Sequence, residues 1–542
     1  MPVKKINISL RCFFLNLIVI AVWFAGCRDK TQKISRKETV TRNWDQTIKG
    51  NFSEQKDLLL DSARIAIFLE KYPVFNTDTS GIREFYQERK YAYAWFEGDT
   101  LIEQAGNLIN RVTNIGAEGI SKSIPYRKQL DSLRQEVSVG KKVADPELEL
   151  MLTAQYFVFS RYAWDGADPD ISKKASWFLP RKKVSYQAYL DSMLRKPADE
   201  FFTGGPVYRQ YNLLRSYLSK YRDLNAREDW TKLAAEDLVK PGSNADLVKK
   251  VRQRLFLLGD FKGDTTGTLY DDTLLLAVKQ FQERHGLENN GTIGKQTLYE
   301  LNVSPAVRIS QLLVNMERSR WMPVSLEGDY LGVNIPEYKL HVYHADSLLW
   351  STNVVVGQTM HQTSVFYGEV QYIVFSPYWN VPPGILRQEV IPAMKRDPNY
   401  LRKHNMEKTG IEGGLPVIRQ KPGPENSLGL VKFMFPNSYN IYLHDTPSKS
   451  LFGESSRAFS HGCIRVSNPA RLASFLLKDT VQWSDDKISA AMHAGKERYV
   501  TLKKRVPVFI AYFTAFVDRD GRLNFRKDIY KLDQRLSNLL YL

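Results

Sequence analysis

The apolar pattern of this chain changes period near Trp321, and no single layered fold accommodates both halves. Before that point apolar residues recur at spacings of three and four, as at Leu148, Leu152, Tyr156 and Phe159, the mark of helices with one buried face. Beyond it, residues 330–335, 339–344, 348–357, 370–375 and 440–444 are short runs rich in β-branched and aromatic side chains, broken by Gly, Pro and Asp, as strands are. At 542 residues the chain also exceeds the roughly 250–300 at which single cores stop growing. The expectation is a multidomain α+β protein: a helical scaffold, a small helical unit and a β-rich domain.

The first residues set the compartment. Lys4, Lys5 and Arg11 precede an apolar run from Cys12 to Phe24, and the small residues Ala25 and Gly26 lead into Cys27. A basic start, a short apolar stretch and small residues before a cleavage point read as a secretory signal over residues 1–27. The apolar run is shorter than the roughly 20 residues needed to span a bilayer. Residues 28–53 are polar and too poor in apolar side chains to fold alone, so they read as a tether.

The formal charge of +17, from 76 basic and 59 acidic residues, favours anionic surroundings. For an exported chain these are wall carboxylates, anionic wall polymers and lipid headgroups; nucleic acid would explain the charge but not the export signal. Of three cysteines, Cys463 alone lies outside the N-terminal 27 residues. It therefore has no internal disulfide partner beyond that segment, and is a packed thiol, an intermolecular cross-link or a nucleophile.

Between the tether and the change of period lie two helical regions. Residues 54–240 form the scaffold, with no polar constellation that demands chemistry. A Pro-Gly-Ser-Asn stretch at 241–244 separates it from residues 245–302. There Leu247, Val248, Val251, Leu255 and Leu258 share one helical face that stops at Gly259; Leu274, Ala277, Val278 and Phe281 repeat the device, and a short helix runs from about 295 to 301. Residues 308–542 form the third domain. Within it, residues 384–429, with Gly413-Gly414 and Pro422-Gly423-Pro424, break the strand pattern and read as an inserted lid.

The chemistry concentrates in His444-Asp445 and Ser460-His461-Gly462-Cys463-Ile464-Arg465. A nucleophilic cysteine acts as thiolate, so it needs a base or a positive charge nearby, and His444 and His461 are the candidates closest in sequence. Gly462 permits a sharp turn that aims peptide N–H groups at a substrate carbonyl, as an oxyanion hole does. The same residues, His444, His461 and Cys463, are also possible zinc ligands, although they lack the paired spacing of common zinc motifs.

Several of these segments resemble known families. Phe24-Ala25-Gly26-Cys27 resembles a lipobox, which implies diacylglyceryl modification of Cys27 and a membrane-anchored periplasmic lipoprotein; the alternative is an uncleaved N-terminal anchor. Residues 245–302 resemble the PG_binding family in Leu255 to Gly259, Ala277 to Gln282, Gly286-Leu287, Asn290-Gly291, Gly294 and Thr297. Ser460-His461-Gly462-Cys463 with His444 nineteen residues before the cysteine resembles the YkuD-type L,D-transpeptidase signature. Val356-Gly357, residues 378–383 and the C-terminal stretch through Phe525 to Tyr530 are similar too, and the order of parts resembles the large YcbB-type members.

That resemblance implies a two-step acyl transfer on peptidoglycan stem peptides, with Cys463 as nucleophile, His444 as general base and later acid, and no metal or organic cofactor. Ser460, His461, Gly462, Arg465, Tyr442, Trp379 and Asn380 are the implied substrate and oxyanion contacts. Arg465, where many members carry Asn, is either a partner for a substrate carboxylate or one half of a structural salt bridge. An L,D-carboxypeptidase on the same stems, and a non-catalytic wall-binding lipoprotein, remain as alternatives.

Overall fold

A computed structural model describes residues 58–138, 144–196, 205–234, 238–478 and 481–541. The signal, tether and lipidation expectations at residues 1–53, Cys27 included, lie outside these. Among the described residues no helix is long and apolar enough to cross a membrane.

The scaffold is built around α1 (Pro146–Ser160), which is buried on every side from Leu148 to Ser160. Pro146 occupies the first turn and the Asp145 side chain accepts a hydrogen bond from Glu147 N at 2.9 Å, satisfying one otherwise unpaired amide. A helix enclosed all round must place its polar residues against partners. Glu149, fully buried, accepts from the amides of Ala94 and Trp95 at 2.6 and 3.0 Å and from the Tyr86 hydroxyl at 2.8 Å. Burial still outweighs these bonds and pushes its carboxyl up to about 7. Its role is to tie three segments together. A second scaffold helix, α2 (Gln210–Arg227), lies farther along the chain.

Helices α3 (Asp246–Leu258), α4 (Asp272–Arg284) and α5 (Lys295–Asn302) form the small unit. Val248, Val251, Leu255, Leu274, Ala277, Val278, Phe281, Leu298 and Leu301 make its core, with Leu247 and Leu258 only partly covered. Gly259 ends α3 at φ +89°, a left-handed position that favours glycine. Next comes α6 (Pro305–Trp321), packed along α2.

The β-rich domain follows. Its strands are β1 (Trp177–Phe178), contributed by the scaffold segment, then β2 (Asp329–Asn334), β3 (Lys339–His344), β4 (Ser347–Gly357) and β5 (Val365–Phe375). Past the insertion come β9 (Val431–Met434), β10 (Leu443–His444), β11 (Ala458–Ser460), β12 (Ile464–Val466) and β13 (Arg498–Ala511). The order is β9-β10-β12-β4-β3-β2-β13-β5-β1, and β9 also pairs with β5, so the sheet closes on itself around an apolar interior.

The insertion carries a separate sheet, β6 (Trp379–Asn380), β7 (Met406–Glu412) and β8 (Leu415–Gln420), in the order β6-β8-β7. It thus takes in residues ahead of 384.

Cores do not follow chain order. The hairpin of β14 (Ala515–Val517) and β15 (Leu523–Phe525) packs into the scaffold core, and Arg526 donates to the Arg284 carbonyl of the small unit at 2.7 Å. The C-terminal segment therefore joins all three helical and β-rich parts.

Candidate active site

The site is a consequence of strand register. β10 and β12 run parallel, with Leu443 opposite Ile464 and His444 opposite Arg465. Side chains alternate across a sheet, so Leu443 and Ile464, both fully buried, face the core. Tyr442, His444, Cys463 and Arg465 are consequently brought to the other face together. The half-buried Cys463 donates to the carbonyl of Asn440 at 3.6 Å. Tyr442 acts electrostatically on its sulfur, and the Tyr442 and His444 rings lie 5.7 Å apart.

The turn carrying the cysteine is locked from several sides. Ser460 Oγ donates to the Cys463 carbonyl at 2.5 Å and accepts from Gly462 N at 3.2 Å. Gly462 sits at φ +111°, a conformation closed to other residues without strain. Its carbonyl accepts from Thr363 Oγ1 at 2.8 Å, and the same hydroxyl accepts from Gly357 N at 2.9 Å. A Cβ on Gly357 would meet the His361 carbonyl at 2.0 Å, so this close approach requires glycine. Tyr530 closes the back of the turn, accepting from Thr363 N at 3.3 Å and donating to the Gly357 carbonyl. With Gly462 N committed to Ser460, the Cys463 amide is the donor left without an acceptor among the described residues.

Electrostatics differ from the sequence expectation of an ionised thiol. Burial pushes the Cys463 thiol above its ordinary range, and Tyr442 and the Arg465 charge offset this only in part. His444, fully enclosed, is pushed down to about 4 by burial and then by Arg465, while its Nδ1 donates to the Asp445 carbonyl at 2.5 Å. At neutral pH the free protein therefore holds a neutral thiol and a neutral imidazole. No hydrogen bond joins His444 to Cys463 among the described residues. Arg465 Nε is buried without a partner, and no carboxylate pairs with this guanidinium among the described residues.

The remaining expected residues are dispersed. His461 turns outward to the insertion, where its Nε2 meets Glu389 Oε1 at 3.0 Å, and its ring lies 5.1 Å from that of His361. Trp379 packs on the insertion's own small core and Asn380 is exposed on β6; neither touches Cys463 among the described residues. Thr363, Asn440 and Glu389 were not singled out as site residues, although Asn440 opens the strand run 440–444, and Tyr530 entered only as the end of the C-terminal stretch that resembles the family, with no role assigned. The Val356-Gly357 landmark and that stretch were the signals close to them.

Residues 328–488 match the L,D-transpeptidase catalytic domain (YkuD), residues 80–218 the Scaffold domain, and residues 244–301 the "Putative peptidoglycan binding domain". Over 243 residues the chain is 33% identical to a "Putative L,D-transpeptidase" of Haemophilus influenzae, covering 42% of this chain and 49% of that protein. The match thus spans about half the length of that curated relative. A solved L,D-transpeptidase from Stackebrandtia nassauensis is 16% identical, covering 54% of this chain and 100% of that one at a TM-score of 0.21. One from Xylanimonas cellulosilytica is 16% identical, covering 51% and 99% at 0.18; superpositions this loose carry no weight for the fold. The chain carries an L,D-transpeptidase catalytic domain, preceded by a peptidoglycan-binding domain and a scaffold domain.

Proposed function

We propose that this protein is a cysteine-dependent L,D-transpeptidase that cross-links peptidoglycan stem peptides outside the cytoplasm. The observation that carries this reading is the parallel register of β10 and β12, which brings Cys463 to one face with Tyr442, His444 and Arg465, whose buried Nε has no partner.

Arg465 fits a carboxylate of the donor stem better than a structural salt bridge, because it is half-buried with its Nε enclosed and unpartnered, a cost that an anionic ligand would relieve. Cys463 Sγ then attacks the carbonyl carbon of the third stem residue, and its proton passes to His444, whose low pKa keeps it free to accept one. Ionisation accompanies attack and does not precede it. The Cys463 amide and the Tyr442 hydroxyl are the donors placed to stabilise the oxyanion. The bond to the terminal D-alanine breaks, its nitrogen takes the proton from His444, and a thioester remains. The side-chain amine of the third residue on a neighbouring stem attacks that thioester; the thiolate leaves and is reprotonated, giving a cross-link between two third residues. The reaction as written uses no metal or organic cofactor. Anchoring through a lipid on Cys27 would hold the enzyme at a periplasmic membrane face, with residues 28–53 as tether, 54–240 as scaffold, 245–302 as wall-binding unit and 308–542 as catalytic domain.

Incubation of the purified protein with tetrapeptide-bearing muropeptides tests this. Dimers joined through their third residues, absent with Cys463→Ala, are the expected product. Trimmed monomers alone would favour the carboxypeptidase reading, and neither product would favour a wall-binding lipoprotein.

A further inference from the structure

A large open space in the described molecule lies away from the thiol. A groove of about 1500 Å³ runs between the scaffold and the β-rich domain, where α6 and the segment around β1 face each other. That exceeds the roughly 300–1,000 Å³ of small-molecule pockets and suits an extended ligand. Its acids are already engaged: Asp165 accepts from the Tyr186 hydroxyl at 2.5 Å, Asp168 from Asp170 N at 2.8 Å, and Glu317 from Arg320 and from Ala167 N at 2.5 and 2.6 Å. Lys122 and Lys183, both exposed, have no carboxylate partner among the described residues. Lys122 Nζ lies 5.7 Å from the centre of the Tyr162 ring, so the groove presents positive charge that no carboxylate pairs.

It also leads to the nucleophile. Phe178 of β1 lines the groove with 45% of its surface exposed, and its ring lies 5.9 Å from that of Tyr439, itself 38% exposed. Tyr439 packs on Phe366 at 4.8 Å and immediately precedes Asn440, whose carbonyl accepts from the Cys463 thiol. Two exposed rings thus form a ledge from the cationic groove to the residue that precedes Asn440, the hydrogen-bond partner of the thiol. Exposed aromatic faces pack on the apolar faces of sugar rings, and free lysines pair with peptide carboxylates.

We infer that this groove is a binding site for a peptidoglycan strand, an N-acetylated glycan bearing anionic peptides, and that the Phe178–Tyr439 ledge delivers one of its stems to Cys463. The inference rests on the function proposed above and adds a second subsite outside the catalytic face. Its consequence is a preference for stems carried on glycan over free peptide.

The test compares kcat/KM for D-alanine release from a free tetrapeptide and from the same tetrapeptide on glycan oligomers, using the full chain. In Lys122→Glu/Lys183→Glu the preference for glycan-borne stems should fall roughly tenfold, a change of about 1.4 kcal/mol, with free-peptide turnover held within about twofold, and in Phe178→Ser that preference should fall in the same direction. Salt at about 0.5 M should erase the parent's preference in the same way, since exposed charges are screened. A preference unchanged in both variants, or an equal loss on both substrates, overturns the inference. Anisotropy of labelled glycan oligomers with the Cys463→Ala protein supplies a readout independent of chemistry. Weaker binding in the lysine variants supports the groove even if no D-alanine is released, and unchanged binding overturns it even if the enzyme is active.

Discussion

The floor and the roof of the site are built to opposite standards. The floor, residues 460–466, is fixed by Ser460, Thr363 and Tyr530 and backed by the fully buried Leu443, Ile464 and Val466. The roof, the insertion that carries β6, β7 and β8, has a core of four buried apolar residues, Val381, Leu386, Val390 and Ile418. Its longest helical run, residues 383–396, is interrupted by a π-helical segment at Leu386–Val390, β7 is largely exposed, and Gly413 and Gly414 both turn at positive φ. Few buried contacts mean low local stability. The difference teaches that the nucleophile is held in place before substrate arrives, and it supports the proposal that the insertion acts as a lid that moves for entry and release.

Breaking the floor at its chemical centre should have the largest effect. Cys463→Ala should lower D-alanine release by at least about 10⁴-fold, with the circular dichroism of the parent. His444→Asn should cost roughly 10²–10⁴-fold in kcat, the usual worth of a general base. The parent should keep its base function as pH falls from 7 to 5, because His444 stays neutral until about pH 4. The sign for stability follows from proton counts: between about 4 and the ordinary 6.5 the unfolded chain binds more protons on this residue than the folded one. Its contribution is present above about pH 6.5 and is lost as pH falls toward 4. Urea unfolding at pH 7.5 and 5 should show this loss in the parent and not in His444→Asn.

Smaller changes sharpen the contrast. Thr363→Val leaves the buried Gly357 amide and the Gly462 carbonyl without their side-chain partner, which should destabilise the protein by about 1–3 kcal/mol in denaturant titration. Glu389→Gln removes the charge that tethers the roof to His461. It should change KM by about two- to fivefold, as expected for an exposed ion pair, and speed amide exchange in residues 400–420 while 460–466 stays protected. Equal exchange in the two regions would remove the distinction between floor and roof.

How far the sequence foretold this depended on distance along the chain. The helices of the small unit were legible because their buried faces repeat every three to four residues. Cys463 and His444, nineteen residues apart, were legible as a motif, and the pairing of His444 with Arg465 brings them to one face. Thr363 was not legible, and Tyr530 only as the end of a family-like stretch without a role, because the bonds that make them matter span 99 and 173 residues. β1 is two residues long, too short for any period, yet it carries the scaffold segment onto the catalytic sheet. The protonation states were also hidden, since the burial that keeps the thiol and imidazole neutral is a property of the closed sheet and not of the motif.

The account stands on Cys463 forming an acyl bond. Intact-mass and peptide-mapping analysis after exposure to a carbapenem measures this directly. A single adduct on the peptide containing Cys463, missing from Cys463→Ala, is the predicted result; an unmodified cysteine, or an adduct that persists without it, would contradict the account.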